Sequence, residues 1–172
     1  AKFIFWNDDE FLDIVVANIG DGRSVSEPLP DNEQWKRTWD NNFESALHTA
    51  RTFLPMLQKS KGCLLFISSI ASMEAFGAPV DYSTAKTAVA ALAKNMSRKL
   101  ANEVRVNVIA PGNIIFDGSS WDIKNKKSPN AVAEVIKSTV PMNRFGLPNE
   151  IADSAVFLCS KIILVVEGDR LI

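Results

Sequence analysis

The stretch CLLFIS, at residues 63–68, decides the fold class of this chain. It is an almost continuous run of apolar side chains, which is typical of a strand that is covered on both faces, as in a parallel sheet. Two more apolar runs, rich in Val and Ile, lie to either side of it, LDIVVA at 12–17 and VRVNVI at 104–109. We therefore predict three buried, parallel strands.

Long helical patterns fill the segments between these strands. Over Trp35–Leu57 the apolar residues recur at threes and fours, and Asp31 or Asn32 precedes them as a capping residue. A second apolar stripe runs from about Ser83 to Leu100. Alternating strands and helices favour βαβ units, so we predict an α/β fold with a doubly wound parallel sheet. Two shorter helices are expected at 130–138 and 148–159.

Composition and charge exclude several classes of protein. Of the 172 residues, 47% are hydrophobic and 23% charged, which is ordinary for one globular domain and unlike collagen or a disordered chain. The 19 Lys and Arg nearly balance the 20 Asp and Glu, so we expect no nucleic-acid partner. The longest apolar run, Ile162–Val166, is far shorter than a membrane-spanning helix, so we expect no membrane partner.

The cysteines and the histidine give little sign of chemistry. Cys63 and Cys159 provide neither a disulfide framework nor the spacing of a metal site, so we expect no metal and interpret both as small buried residues. This usage favours a reducing, cytoplasmic compartment. The single histidine, His48, lies inside the first helical pattern and is expected to be structural or on the surface.

Three loops follow the predicted strands, at 20–30, 70–81 and 111–129. Ligands of open parallel sheets bind beyond the carboxyl ends of the strands, so these loops are expected to converge on one site. The basic run Lys124–Lys127 is interpreted as a solvated part of the third loop.

One group of residues near this edge carries chemistry. Tyr82 is the only tyrosine, and Lys86 follows it by four residues, so the two side chains share one helix face. Ser69 lies where the second strand ends, and Asn42 lies in the first long helix. An ammonium near a phenol is expected to lower the phenol's pKa from about 10. Such a tyrosine can exchange a proton with a substrate oxygen that a serine hydroxyl holds.

The order and spacing of six segments resemble the short-chain dehydrogenase/reductase family from about Phe11 to Ser160. The segments are ANIG at 17–20, Asn42, ISS at 67–69, YSTAK at 82–86, RVNVIAPG at 105–112 and PMNRFGLPNEIADSAVFLCS at 141–160. The last two look most like those of 3-oxoacyl-carrier-protein reductases. The resemblance implies a Rossmann-like fold, NAD or NADP as cofactor, and the interconversion of a carbonyl and a secondary alcohol by hydride transfer.

The resemblance also implies a role for each matching residue. Tyr82 would donate or accept the proton, Lys86 would lower its pKa and bind the nicotinamide ribose, and Ser69 would hold the substrate oxygen. Asn42 would anchor a water that relays protons to Lys86. Asn18 would contact the cofactor or, equally, tie neighbouring loops together. The residues expected to line the cofactor are Asn18, Gly20, Tyr82, Lys86, Pro111, Gly112 and Ile114.

The chain departs from the family pattern at its first glycines and after its third strand. Gly20-Asp21-Gly22 does not open a helix, so the family's glycine-rich pyrophosphate turn has no counterpart there. Residues 113–116, Asn-Ile-Ile-Phe, lack the threonine that often touches the cofactor.

The two ends also depart from the pattern. We expect two βαβ units, roughly 60 residues or more, to be missing before Phe11. A strand at Ala1–Trp6 either pairs antiparallel with the strand that begins at Leu12 or is separated from it by absent chain, and we favour absence. Chain is also expected to be absent near Lys161–Ile162, ahead of a final strand at Ile162–Val166. Residues 1–172 are thus interpreted as a single, partial nucleotide-binding domain.

The expected substrate is a small or carrier-linked carbonyl or alcohol. Trp121 is expected either to wall an apolar substrate or to pin its loop to the core, with Phe116 and Met142 bordering the pocket. The two long helices pair between subunits in the family, which implies a homodimer or homotetramer. The alternative function is that of a non-catalytic member of the family, acting as a binding or scaffold subunit.

Overall fold

The computed structural model describes residues 12–23, 25 and 27–161 of the chain. Several expectations fall outside these residues: the strand at Ala1–Trp6, the final strand at Ile162–Val166, and the missing chain expected beside each of them.

Three parallel strands form the sheet, in the order β1-β2-β3. They are β1 (Ile14–Ala17), β2 (Cys63–Ile67) and β3 (Arg105–Ile109). Residues 64–66 of the central strand β2 are fully buried because helices cover both faces of the sheet. The three predicted strands are confirmed, each with one or two fewer residues than the apolar run suggested.

Six α-helices lie among the described residues. They are α1 (Asn32–Trp39), α2 (Ser45–Ser60), α3 (Val80–Lys99), α4 (Ser120–Lys127), α5 (Pro129–Thr139) and α6 (Pro148–Cys159). A π-helical turn, Asp40–Glu44, joins α1 to α2 in one helical stretch. Asp31 caps its start, since the carboxylate accepts the N–H of Gln34 at 2.8 Å. The long first helix and its predicted cap are thereby confirmed.

The core forms two layers of contact, one on each face of the sheet. On one face, Leu64 and Phe66 pack against Leu57 of α2 and Val89 of α3. On the other face, Cys63 and Leu65 pack against the end of α6 around Cys159. Helices on both faces give the predicted doubly wound architecture and leave the carboxyl edge of the strands open for a site.

One expectation about the loops is wrong. Lys124–Lys127 is not a solvated loop but the second half of α4. The Ser119 hydroxyl accepts the N–H of Asp122 at 3.1 Å and so caps this helix. An ion pair one turn apart, between Asp122 and Lys126 at 2.7 Å, supports it further. No residue of α4 is buried, so the helix lacks the apolar stripe by which periodicity reveals a helix.

Gly62→Ala is expected to lower the free energy of unfolding by about 2–3 kcal/mol, as overpacking does in a rigid site. Gly62 is buried between α2 and β2, and a Cβ there would lie 2.5 Å from the backbone oxygen of Asp13 and 2.8 Å from Leu57 Cδ2. That oxygen cannot move away because it accepts the N–H of Cys63 at 2.8 Å. Urea unfolding measures the change.

Gly112→Ala is the matched control for this substitution. A Cβ at Gly112 would meet no atom within 4 Å, so its effect is expected to stay within about 0.5 kcal/mol. Equal urea midpoints for the two variants would show that the close approach at Gly62 is absorbed by the backbone.

Candidate active site

A cleft of about 340 Å³ opens where the carboxyl ends of the three strands meet. Its walls come from the segments after β1, β2 and β3, from the first turns of α3 and from the start of α6. The structure thus brings most of the predicted site residues together. Those in the walls are Asn18, Gly20, Ser69, Tyr82, Lys86, Pro111, Gly112 and Ile114.

Tyr82 and Ser69 meet inside this cleft. Tyr82 lies in the first turn of α3, and Ser69 begins a short 3₁₀ turn, Ile70–Ser72, after β2. The Ser69 hydroxyl accepts the N–H of Ala71 at 3.2 Å, and it lies near enough to the Tyr82 phenol for hydrogen bonding to lower the pKa of that phenol. The serine oxygen is thereby fixed from behind, beside the phenol in the wall of the cleft.

Lys86 lies one helical turn after Tyr82, as predicted. Its side chain is buried, with 5% of the residue exposed. The ammonium donates to the Ile67 carbonyl at 3.1 Å and lies 5.9 Å from the centre of the Tyr82 ring. Burial disfavours the charged form and lowers the pKa of Lys86 from 10.5 to about 8.

The predicted lowering of the Tyr82 pKa is wrong for the chain by itself. Burial raises the pKa of the phenol above 10, the hydrogen bond with Ser69 opposes this, and the Asp21 carboxylate raises it further. The physical reason is that the phenolate loses its hydration in the cleft, while the Lys86 ammonium points at the Ile67 carbonyl.

Gly20 is required by a close approach of its backbone to Lys86 and Asn42. A Cβ at this position would lie 2.8 Å from Lys86 Nζ and 2.8 Å from Asn42 Oδ1. Two residues further along the chain, a Cβ on Gly22 would lie 3.8 Å from the Tyr82 ring. The segment Gly20–Gly22 therefore lies directly over the tyrosine and the lysine, and a side chain at Gly20 would displace it.

Asn42 holds this turn from behind the cleft wall. It lies in the π-helical turn and is fully buried. Its amide donates to the Asp21 carbonyl at 2.9 Å and to the Thr38 carbonyl at 2.9 Å, and its Oδ1 accepts the Asp21 N–H at 3.2 Å. The side chain is thus committed to positioning the turn, while its expected role toward a water stays a prediction.

Three residues that position or tune the site were not expected from the sequence. Asp21 places a carboxylate in the cleft wall, Ser68 donates to the Lys86 carbonyl at 2.8 Å, and the 1% exposed Asp81 accepts the Tyr82 N–H at 2.9 Å. An acidic residue in the first turn of α3 is a signal for Asp81. For Ser68 and Asp21, only the fold shows which groups they meet.

Residues around the cleft divide into those that line it and those that support it. Phe116 lines the cleft, whereas Met142 is exposed and contributes no wall to it. The Trp121 ring packs on the buried Phe145 with centroids 4.6 Å apart. Of the two predicted roles for Trp121, the structure therefore shows the one that pins its segment to the core. His48 lies on the surface, 4.0 Å from the Glu44 carboxylate.

Comparisons with known proteins agree with these motifs. The sequence matches the family model described as Enoyl-(Acyl carrier protein) reductase over residues 7–172. It is 30% identical to the 3-oxoacyl-[acyl-carrier-protein] reductase of Chlamydia trachomatis over 151 residues, 87% of this chain and 58% of the relative. It is 32% identical to the 7alpha-hydroxysteroid dehydrogenase of Escherichia coli K12 over 164 residues, 93% of this chain and 61% of the relative. The chain thus spans about three-fifths of the length of these relatives.

The fold has counterparts among solved structures. A crystal structure from Sinorhizobium meliloti 1021, of a protein assigned to the short-chain alcohol dehydrogenases, superposes with a TM-score of 0.78 at 23% identity. The superposition covers 92% of this chain and 62% of the Sinorhizobium meliloti chain. On the family match, the relatives and the ordered set of motifs, the chain belongs to the short-chain dehydrogenase/reductase family.

Proposed function

We propose that this protein is an NAD- or NADP-dependent oxidoreductase that interconverts a carbonyl and a secondary alcohol, with Tyr82 as the proton donor and acceptor. One observation carries the proposal: a phenol, a serine hydroxyl and a buried ammonium line one cleft at the carboxyl edge of the sheet. The family membership supports the reaction class.

The described residues fit the nicotinamide end of a dinucleotide. Two glycines, Gly20 and Gly112, let the backbone border the cleft without side chains, and Lys86 offers the ammonium that would bind ribose hydroxyls. Asn18, Pro111 and Ile114 would line the ring. The bound cofactor would supply or accept the hydride, which is chemistry that no side chain provides. Among the described residues, the first helix after β1 begins at Asn32, so these residues would hold the nicotinamide end rather than the pyrophosphate.

The protein's own contribution is the proton. In reduction, the substrate oxygen would accept hydrogen bonds from Ser69 and Tyr82, and Tyr82 would give up its proton as the alcohol forms. The resulting phenolate would be stabilised by the Ser69 hydroxyl and the Lys86 ammonium. Because burial raises the pKa of Tyr82, the phenol is protonated at neutral pH, which is the form that carbonyl reduction requires.

The direct test uses the protein expressed from its complete coding sequence. Fluorescence titration with NADH and with NADPH should show binding of at least one of these cofactors. The protein should also reduce a set of ketones while that cofactor is oxidised. A crotonoyl thioester separates reduction of a carbon–carbon double bond from reduction of a carbonyl. Absence of binding by both cofactors would favour the scaffold function, and turnover of the crotonoyl thioester alone would replace the carbonyl by an enoyl substrate.

Asp21→Asn is expected to shift the pH profile of alcohol oxidation to lower pH, because a neighbouring like charge disfavours the phenolate. The Asp21 carboxylate raises the pKa of Tyr82, so its removal lowers that pKa and lets the base form at lower pH. The profile of kcat/KM against pH measures the shift. The exposed Asp153 on α6 supplies the control: Asp153→Asn should leave the profile in place, and an equal shift there would assign the effect to net charge.

Three expectations stay predictions within this proposal: a small or carrier-linked substrate, assembly as a homodimer or homotetramer, and a cytoplasmic location. Across the described ranges, no helix is long and apolar enough to cross a membrane. The same residues contain no group of three potential metal ligands from His, Cys, Asp and Glu.

A further inference from the structure

We propose that Cys63 and Cys159 form a redox-active dithiol, which a peroxide converts into a disulfide between β2 and α6 and which a thiol reductant restores. The pair lies at the amino end of β2, at the opposite edge of the sheet from the cleft. It takes no part in the proposed hydride chemistry, so this inference does not depend on the proposed function.

The geometry places the two sulfurs in contact. Cys63 Sγ and Cys159 Sγ are 3.8 Å apart, although the residues are 96 positions apart in the sequence. Cys63 is the first residue of β2 and Cys159 the last residue of α6. A disulfide requires sulfurs about 2.05 Å apart, so the end of α6 must approach the strand by somewhat less than 2 Å. A shift at the end of a helix displaces only its last turn, so it costs less free energy than a shift in the middle of the helix.

Polar groups around the pair favour a thiolate at Cys63. The hydrogen bond with Cys159 lowers the pKa of Cys63 to about 7 against the effect of burial, and Arg105 and Asn107 add to the lowering. The Asn107 amide lies 3.9 Å from Cys63 Sγ. The same hydrogen bond raises the pKa of Cys159. The two thiols are therefore unequal, with Cys63 as the nucleophile and Cys159 as the resolving thiol.

The guanidinium of Arg105 also holds the helix end at the correct place. It donates to the carbonyls of Leu158 at 2.9 Å and of Cys159 at 2.8 Å. These bonds keep the last turn of α6 on the sheet, and so they keep the Cys159 thiol beside Cys63. A pair of thiols that merely filled space would need no such tie between backbone and strand.

The chemistry balances with a peroxide as the oxidant. The Cys63 thiolate attacks one oxygen of hydrogen peroxide, the O–O bond breaks, and a sulfenic acid and hydroxide form. The Cys159 thiol then attacks the Cys63 sulfur, the disulfide forms, and water leaves. In sum, two thiols and one peroxide give one disulfide and two waters. Two equivalents of a small thiol reverse the step and are themselves oxidised to a disulfide.

Burial makes the site selective for a small oxidant. Cys63 is 0% exposed and Cys159 is 6% exposed, and the chain becomes exposed two residues beyond Cys159, at Lys161. Hydrogen peroxide is therefore the proposed oxidant, because the active site of a protein oxidant cannot contact a buried sulfur. The disulfide would close a loop of nearly a hundred residues, so oxidation is expected to raise Tm by about 5–10 °C.

The experiment treats the full-length protein with hydrogen peroxide, blocks remaining thiols under denaturing conditions and maps the tryptic peptides by mass. The expected result is a cross-linked pair of peptides carrying Cys63 and Cys159, a higher Tm, and reversal of both by dithiothreitol. Blocked thiols at both positions after treatment, with peroxide still present, would overturn the proposal. So would a disulfide that forms only after the protein is unfolded.

Two single variants test the assigned inequality of the thiols. In Cys159→Ser the sulfenic acid at Cys63 has no resolving partner, so dimedone should label Cys63 about tenfold more than it labels Cys159 in Cys63→Ser. Circular dichroism shows whether each variant is folded, and Cys63→Ala and Cys159→Ala replace any that is not. Equal labelling of the two cysteines would refute the nucleophile assignment, and a Tm rise with peroxide in either variant would refute the disulfide as its cause.

Discussion

Tyr82→Phe is expected to lower kcat for carbonyl reduction by about a thousandfold, which is within the range that a positioned general acid contributes. The substitution removes the phenolic proton and little else, because the ring keeps its place in the first turn of α3. Binding of the cofactor should change by less than about threefold, since an interaction needed only in the transition state affects kcat more than binding. Single-turnover kinetics and a fluorescence titration measure the two effects.

Ser83→Ala provides the control for Tyr82→Phe. Ser83 is the next residue of the same helix, and its carbonyl, which the substitution keeps, accepts the Thr87 hydroxyl at 2.8 Å. Its kcat should stay within about threefold of the wild type. If Tyr82→Phe retains more than a tenth of the wild-type kcat, another group supplies the proton, and the proposed role of Tyr82 has to be given up.

The fold could be predicted from the sequence wherever a buried surface leaves a periodic pattern. The central strand β2 is covered on both faces and reads as an unbroken apolar run. The apolar spacing and the capping residue Asp31 predict the first long helix. The helix α4 has no periodic spacing of apolar residues because none of its residues is buried. The apolar pattern that predicts β2 therefore could not predict α4.

The sequence predicted which residues line the cleft, but it could not predict their electrostatics. Spacing along one helix fixes that Tyr82 and Lys86 share a face, because helical geometry is local. The pKa of each depends on burial by distant segments, and burial acts on both in the direction that disfavours charge. Spacing reveals only the ammonium beside the phenol and not the burial of the phenol, so the direction predicted for the pKa of Tyr82 was wrong.

Contacts between distant segments account for the rest of what the sequence could not show. Asn42 binds the backbone of Asp21, which is 21 positions away. The Asp81 carboxylate accepts the Gln34 amide at 3.3 Å across 47 positions. Each bond fixes a turn that carries a site residue, and each depends on a tertiary contact that no local pattern encodes. Residue types and spacings thus predict which groups meet in the cleft, while the supporting hydrogen bonds become visible only in the folded chain.

Lys86→Met is expected to lower kcat by about 10²- to 10³-fold while raising the free energy of unfolding at pH 7. The loss of activity follows from the proposed function, in which the ammonium would stabilise the phenolate during the reaction and bind the ribose. The gain in stability follows from burial, which lowers the pKa of Lys86 from 10.5 to about 8. A shift of that size disfavours the folded state at pH 7 by on the order of 3 kcal/mol. The lost hydrogen bond to Ile67 offsets about 1–2 kcal/mol of this, so a net gain of about 1–2 kcal/mol remains.

The pH dependence of stability separates this explanation from a simple packing effect. Between pH 8 and 10.5 the unfolded chain holds the Lys86 proton more tightly than the folded chain does, so wild-type stability attributable to this residue rises with pH across that window. The advantage of Lys86→Met should therefore shrink from pH 7 to pH 10 in urea unfolding. Lys94→Met, an exposed position on the same helix, should show no such trend. An advantage that stays constant from pH 7 to pH 10 would mean that the methionine packs better, and that the buried ammonium does not weaken the fold it serves.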